Sequence, residues 1–186
     1  MRESSLGMGT VRPLYTAEER ARRDATRWTL VQGVLAPLQF FAFLASLALV
    51  LHFLQTGQGE GAATVSIVIK TFLLYTIMVT GCIWEKVVFG RYLFAPAFFW
   101  EDVFSMLVLA LHTAYLAALF TGGLPVREQM LLALAAYFAY AINAAQFLLK
   151  LRAARLQAAA QAEAAAAAGA MVASPAACPA SNEVPA

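Results

Sequence analysis

Charge is scarce in this sequence. Only 13% of the 186 residues are Asp, Glu, Lys or Arg, against about a quarter in an average soluble domain. Hydrophobic residues make up 61%. That balance excludes a disordered chain, and it leaves too little polar surface to cover the core of a soluble globular domain. A net charge of +2 is too small to imply nucleic acid or another anionic polymer as partner. Cysteine is nearly absent too. Cys82 lies in an apolar run and Cys178 in a small-residue tail, and neither forms a metal-ligand spacing with the two histidines, His52 and His112. A disulfide-stapled module and a zinc site are not expected. No internal repeat is visible, so an inverted-repeat transporter is not suggested.

What the chain has is apolar length. Four runs, residues 33–54, 62–84, 97–120 and 130–149, are each long enough to cross a hydrocarbon core of roughly 30 Å. Such runs must be helical, because a lone helix satisfies its own backbone in lipid. The first is too long for the apolar region of a signal peptide. Pro37 is expected in its first turns, where a missing N–H costs little. The sequence thus predicts an all-α, polytopic membrane protein, a bundle of four transmembrane helices over residues 30–152.

Lysine and arginine orient it. Six lie in the N-terminal segment, two (Lys86 and Arg91) between the second and third runs, and three (Lys150, Arg152 and Arg155) after the fourth. Only Arg127 lies in the other links, so the count is eleven against one, with Lys70 inside the second run. The positive-inside rule places both termini in the cytoplasm. Residues 1–29 form a cytoplasmic segment in which Thr16 and Glu19 make a capping-box pattern before a basic stretch ending at Trp28. This is either an interfacial helix anchored by Trp28 or a solvated lead-in helix. Residues 153–186 read as an Ala-rich helical extension and a disordered tail.

Polar residues inside spans are costly and ask for a reason. Lys70 either snorkels outward or faces the bundle, as the placement of Gly81 and Glu85 near its face suggests. The densest group is at the cytoplasmic end of the second and third spans: Trp84, Glu85 and Lys86, then Arg91, then Phe98, Phe99, Trp100, Glu101 and Asp102. An aromatic belt with interfacial charges is the plain account of it. Against that, Glu101 and Asp102 follow a run that is already inserting, where a carboxyl held against aromatic rings suits a general acid. Ser105 and His112 fall near the face of Glu101. Tyr137, Tyr140, Asn143 and Gln146 trace a polar stripe on the fourth span, with Gln39 at similar depth on the first. Interhelical hydrogen bonds are one account of these; a pocket opening from the inner leaflet is the other.

The string Trp84-Glu85-Lys86-Val87-Val88-Phe89-Gly90-Arg91-Tyr92-Leu93-Phe94-Ala95-Pro96-Ala97-Phe98-Phe99-Trp100-Glu101-Asp102 resembles the 3-vinyl bacteriochlorophyllide hydratase family of photosynthetic bacteria. So do Leu14-Tyr15-Thr16-Ala17-Glu18-Glu19-Arg20, Val31-Gln32-Gly33-Val34-Leu35-Ala36-Pro37-Leu38-Gln39-Phe40 and Leu74-Tyr75-Thr76-Ile77-Met78-Val79-Thr80-Gly81. The resemblance covers roughly residues 14–150. It implies a hydro-lyase of bacteriochlorophyll a synthesis in the bacterial inner membrane, either its plain or its intracytoplasmic part. Such an enzyme adds water to the C3 vinyl group of chlorophyllide a or 3-vinyl bacteriochlorophyllide a, giving the 3-(1-hydroxyethyl) product. No cofactor is implied, since the magnesium arrives within the substrate. Membrane lipid and other bacteriochlorophyll-synthesis enzymes are the expected partners.

That chemistry needs an acid for the terminal vinyl carbon and a base for the attacking water. Position and chemistry assign the acid to Glu101, with Asp102 or Glu85 orienting the water. Trp84, Phe98, Phe99 and Trp100 are expected to cover the flat ring, Lys86 or Arg91 to meet the propionate, and His112 to approach the magnesium. Asn143 joins them as a substrate-binding candidate. Two other classes compete: a non-catalytic pigment carrier, indifferent to Glu101→Gln, and a small proton-coupled exporter using Glu101 or Lys70.

Overall fold

The computed structural model describes residues 14–173. Five helices follow one another: α1 (Ala17–Ala25), α2 (Arg27–Thr56), α3 (Glu60–Phe89), α4 (Phe99–Thr121) and α5 (Val126–Ala173). The last four each contain a stretch long and apolar enough to cross a membrane. Their outward faces carry Leu30, Phe41, Phe72, Phe120 and Phe138, all exposed. Large apolar side chains left in water cost about 2 kcal/mol each, so these faces belong in lipid. This is an all-helical membrane protein. Residues up to Leu148 form one compact unit and those from Leu149 onward another.

The helices start and stop for local reasons. The Thr16 side chain accepts from the Glu19 N–H while the Glu19 carboxylate accepts from the Thr16 N–H, closing the capping box of α1. Thr26 then ends α1 and caps α2, accepting from the Trp28 N–H. Trp28 is therefore in the first turn of a spanning helix and not at the end of the lead-in helix. This early start also corrects the reading of Pro37. It lies inside α2, ten residues after Arg27, so the Gly33 carbonyl loses its usual donor within the helix. Gly57 and Gly59 adopt left-handed φ of 72° and 83° in the three-residue link to α3, a conformation that costs glycine little. The second cysteine and the tail beyond residue 173 lie outside the described residues, so the disulfide and disorder expectations are not addressed there.

Packing sets the levels of the bundle. α2 and α3 run antiparallel and close together, fastened by Ser46 to Ser66 at 2.7 Å and by Gln32 Nε2–H donating to Thr80 Oγ1 at 2.7 Å. Gly81 lets the Gln32 amide approach to 3.9 Å of where a Cβ would stand. α5 reaches α2 and α4 through long side chains: the Phe43 ring meets Tyr137 and Tyr140, and Asn143 meets Ser105. Phe43, Val50, Ile67, Leu74, Val108, Tyr115 and Met130 fill the apolar core between them.

Candidate active site

The C-terminal end of α3 and the N-terminal end of α4 are joined by residues 90–98, and this link builds the site. Gly90 ends α3 with φ 79°, its N–H donating to the Lys86 carbonyl. Phe94 holds φ 58°, the left-handed region that costs a residue with a Cβ about 1 kcal/mol. The strain is held in place by its neighbours. The Phe94 N–H donates to Asp102 Oδ2 at 2.7 Å, and the next amide, that of Ala95, donates to the Glu85 carboxyl. Two successive backbone N–H groups form a small anion-binding concavity, and here each takes one carboxyl. Glu85 and Asp102 face each other across the link. Both are buried, and so is Glu101 one residue earlier. Glu101 and Asp102 sit in the first turn of α4, whose free N–H groups favour negative charge. Glu85 Oε2 has no partner.

Around this pair the aromatic residues divide into two sets. Trp84, Phe89 and Phe98 pack edge to face with centroids 5.8 Å apart, and the Trp84 indole N–H donates to Thr29 Oγ1 at 2.9 Å. Tyr15 stacks on Phe89 and Phe147 on Phe98. Burial pushes the Tyr15 phenol above its ordinary value, against the lowering effect of Arg23. Phe99 and Trp100 turn outward instead, 45% and 66% exposed. The four rings expected to cover one flat ligand thus do not share a surface. The turn of about 100° per residue at the start of α4 separates them.

The cations expected near a propionate, Lys86 and Arg91, are exposed. Lys86 donates to the Gly90 carbonyl at 3.0 Å and lies 5.1 Å from the Tyr92 ring. Asn143 is buried, its amide N–H donating to Ser105 Oγ at 2.9 Å, while its Oδ1 has no partner. His112 is buried deeper, with Nδ1–H donating to the Val108 carbonyl at 2.8 Å and Nε2 facing Lys70 Nζ at 3.1 Å. Lys70 is itself buried, so it does not snorkel. Sequence reasoning singled out both residues but did not join them; a lysine and a histidine 42 positions apart on two helices leave no local signal.

Two grooves open on the outer surface of the bundle, one between α3 and α4 by Tyr75, Met78 and Leu109, one between α2 and α3 by Leu30, Val34 and Thr76. Neither reaches the carboxyls.

The arrangement combines a buried carboxyl pair with a third buried carboxyl and an aromatic surround, a set suited to acid–base chemistry on an apolar molecule. Comparison with known proteins points the same way. The sequence profile of the 2-vinyl bacteriochlorophyllide hydratase family matches residues 15–153. The chain is 74% identical over 148 residues to the 2-vinyl bacteriochlorophyllide hydratase of Rhodobacter capsulatus, covering 80% of this chain and 86% of that one. It is 75% identical over 145 residues to the enzyme of the same name from Cereibacter sphaeroides, covering 78% and 90%. No solved structure matches it. With a match over most of its length and three-quarters identity to both relatives, the chain belongs to the 2-vinyl bacteriochlorophyllide hydratase family.

Proposed function

We propose that this protein is a hydro-lyase that adds water to the vinyl group of chlorophyllide a or 3-vinyl bacteriochlorophyllide a, giving the 3-(1-hydroxyethyl) derivative in bacteriochlorophyll a biosynthesis. The vinyl-bearing carbon is number 2 in the older tetrapyrrole numbering and 3 in the current one. The observation that carries the reading is the buried Glu85–Asp102 pair beside Glu101, at the hairpin of α3 and α4. Family membership supports it.

The roles divide by geometry. Glu101 delivers a proton to the terminal vinyl carbon, and the positive charge left on the inner carbon spreads into the macrocycle. The buried carboxyls stabilise that charge in a medium of low dielectric. Glu85 and Asp102 hold the water and take its proton as its oxygen bonds to the inner carbon. That proton returns to Glu101 before the next turnover, so one water is consumed and nothing is oxidised. The substrate brings its own magnesium. Of the aromatic candidates, Trp84 and Phe98 are on the buried side and are assigned to the ring, while Phe99 and Trp100 are assigned to the lipid boundary.

The basic N-terminal segment, the Lys86–Arg91 hairpin and the basic flank of α5 support cytoplasmic termini in the inner membrane, with the carboxyls at its cytoplasmic edge. Other enzymes of the same synthesis are natural partners for handing on a poorly soluble pigment.

The test is to incubate membranes carrying the protein with 3-vinyl chlorophyllide a and extract the pigment for mass spectrometry. Product heavier by one water, absent in Glu101→Gln, is expected. Pigment that is bound but unchanged would instead identify a carrier.

A further inference from the structure

The reaction leaves one buried charge without a task. Lys70 lies in the middle of α3 with its Nζ 3.1 Å from His112 Nε2 and 4.1 Å and 5.2 Å from the ring centroids of Tyr140 and Tyr137. Because His112 Nδ1–H is given to the Val108 carbonyl, Nε2 presents only a lone pair, and Lys70 is the donor. Among the described residues no carboxylate comes within ion-pair distance of it. A lone pair and the faces of two rings offset part of the cost of such a cation in a membrane, but they are not a counter-ion.

A second observation lies between Lys70 and the carboxyl pair. Both amide atoms of Gln39, Oδ1 of Asn143 and Oε1 of Gln146 are buried without partners, as is Glu85 Oε2. The register places them. Ser46 pairs with Ser66 and Gln32 with Thr80, so Gln39 falls between those levels of α3, inward of Lys70. Asn143 meets Ser105, between Asp102 and His112 on α4, and Gln146 is one turn further inward. Buried polar atoms are nearly always satisfied, so these groups are open to a ligand that brings hydrogen-bond partners, as is the Tyr115 hydroxyl further out on α4.

We propose that Lys70 binds the propionate carboxylate of the tetrapyrrole, and that Gln39, Asn143 and Gln146 bond to the polar groups along its edge. The identity of the ligand rests on the hydratase reading; the site itself rests on the cation and the orphaned amides. The two clusters are ten residues apart on α4, about 15 Å, and fifteen apart on α3, about 22 Å, so a macrocycle with its vinyl group near the carboxyls extends its propionate toward Lys70. The vinyl and the propionate stand on different pyrrole rings, so their binding groups must be apart. Lys86 and Arg91 belong to the same hairpin as the carboxyls; Lys70 does not. The Phe43 and Tyr140 rings meet here with centroids 4.9 Å apart, and the proposal requires them to turn aside for a flat ring.

The test compares 3-vinyl chlorophyllide a with its propionate methyl ester, on wild type, Lys70→Met, Lys70→Arg and Lys86→Met in detergent. Binding is read by quenching of pigment fluorescence and turnover by mass spectrometry. Wild type should bind the acid about 10- to 100-fold more tightly than the ester, the value of a charge-assisted hydrogen bond. Lys70→Met should lose that preference, whereas Lys70→Arg and Lys86→Met keep it. Equal binding of acid and ester by wild type overturns the proposal, and that arm needs no variant to fold. A preference that survives in Lys70→Met, or disappears in Lys86→Met, overturns it as well. Lys70-dependent preference without any hydrated product would sink the hydratase reading and leave the carboxylate site standing.

Discussion

The same two helices, α3 and α4, bury two polar clusters, and they build them in opposite ways. At the hairpin, Glu85 and Asp102 meet across a short link whose backbone amides hold them. In the middle of the bundle, Lys70 and His112 meet with no loop nearby, and the rings of a third helix, α5, complete the surroundings. The anionic cluster takes its support from backbone N–H groups, the cationic one from a lone pair and π faces. Fifteen positions of α3, about 22 Å, separate them, so neither neutralises the other.

The comparison can be broken from the carboxyl side first. Asp102→Asn and Glu85→Gln keep an oxygen for the Phe94 and Ala95 amides but lose the group that takes a proton. Turnover should fall about 10²- to 10⁴-fold with the helical signal and melting temperature unchanged. A variant with near-normal turnover would remove the pair from the chemistry. On the cationic side, His112→Phe removes the acceptor from Lys70 while keeping the volume. It should destabilise the detergent-solubilised protein by about 1–3 kcal/mol in a denaturant titration, and unchanged stability would show that the rings alone hold the cation. A smaller effect sharpens the account of the link. Gly90→Ala forces a Cβ onto a φ of 79° with nothing within 4 Å, so the cost is backbone strain of about 1 kcal/mol, with binding of pigment unaffected. The smallest concerns the lead-in helix. Folding raises the Tyr15 phenol, so its contribution is complete below the ordinary value of 10 and fades only as pH climbs through the raised one. Tryptophan fluorescence should therefore be flat between pH 7 and 9 and shift only in stronger alkali; a change near neutrality would implicate another group.

How much of this could be read from residues alone follows the same division. Run lengths reveal the four spans, because lipid demands about twenty apolar residues whatever the packing. The hairpin cluster is legible because its members are near neighbours in the chain. Its internal pairing is not, since the Phe94 N–H reaches Asp102 from a left-handed turn that no composition rule assigns to phenylalanine. The helix start at Phe99 likewise decides which rings face in, and ends at this resolution of one residue lie beyond a hydropathy pattern. Lys70 was visible as a costly residue, yet its partners come from α4 and α5 and depend on helix rotation.

The three-residue link between α2 and α3 bears on how the protein is made. So short a turn delivers both helices to the bilayer as a preformed hairpin while α4 and α5 are still unsynthesised. Lys70 then enters lipid with the Phe43 ring of α2 near it, 6.0 Å away, but without His112, Tyr137 or Tyr140. A lysine at the centre of a lone helix costs about 3 kcal/mol to insert. Arrival of the last two helices relieves that debt by bringing His112, Tyr137 and Tyr140 to Lys70, so the lysine that is costly in the hairpin favours closure of its own bundle.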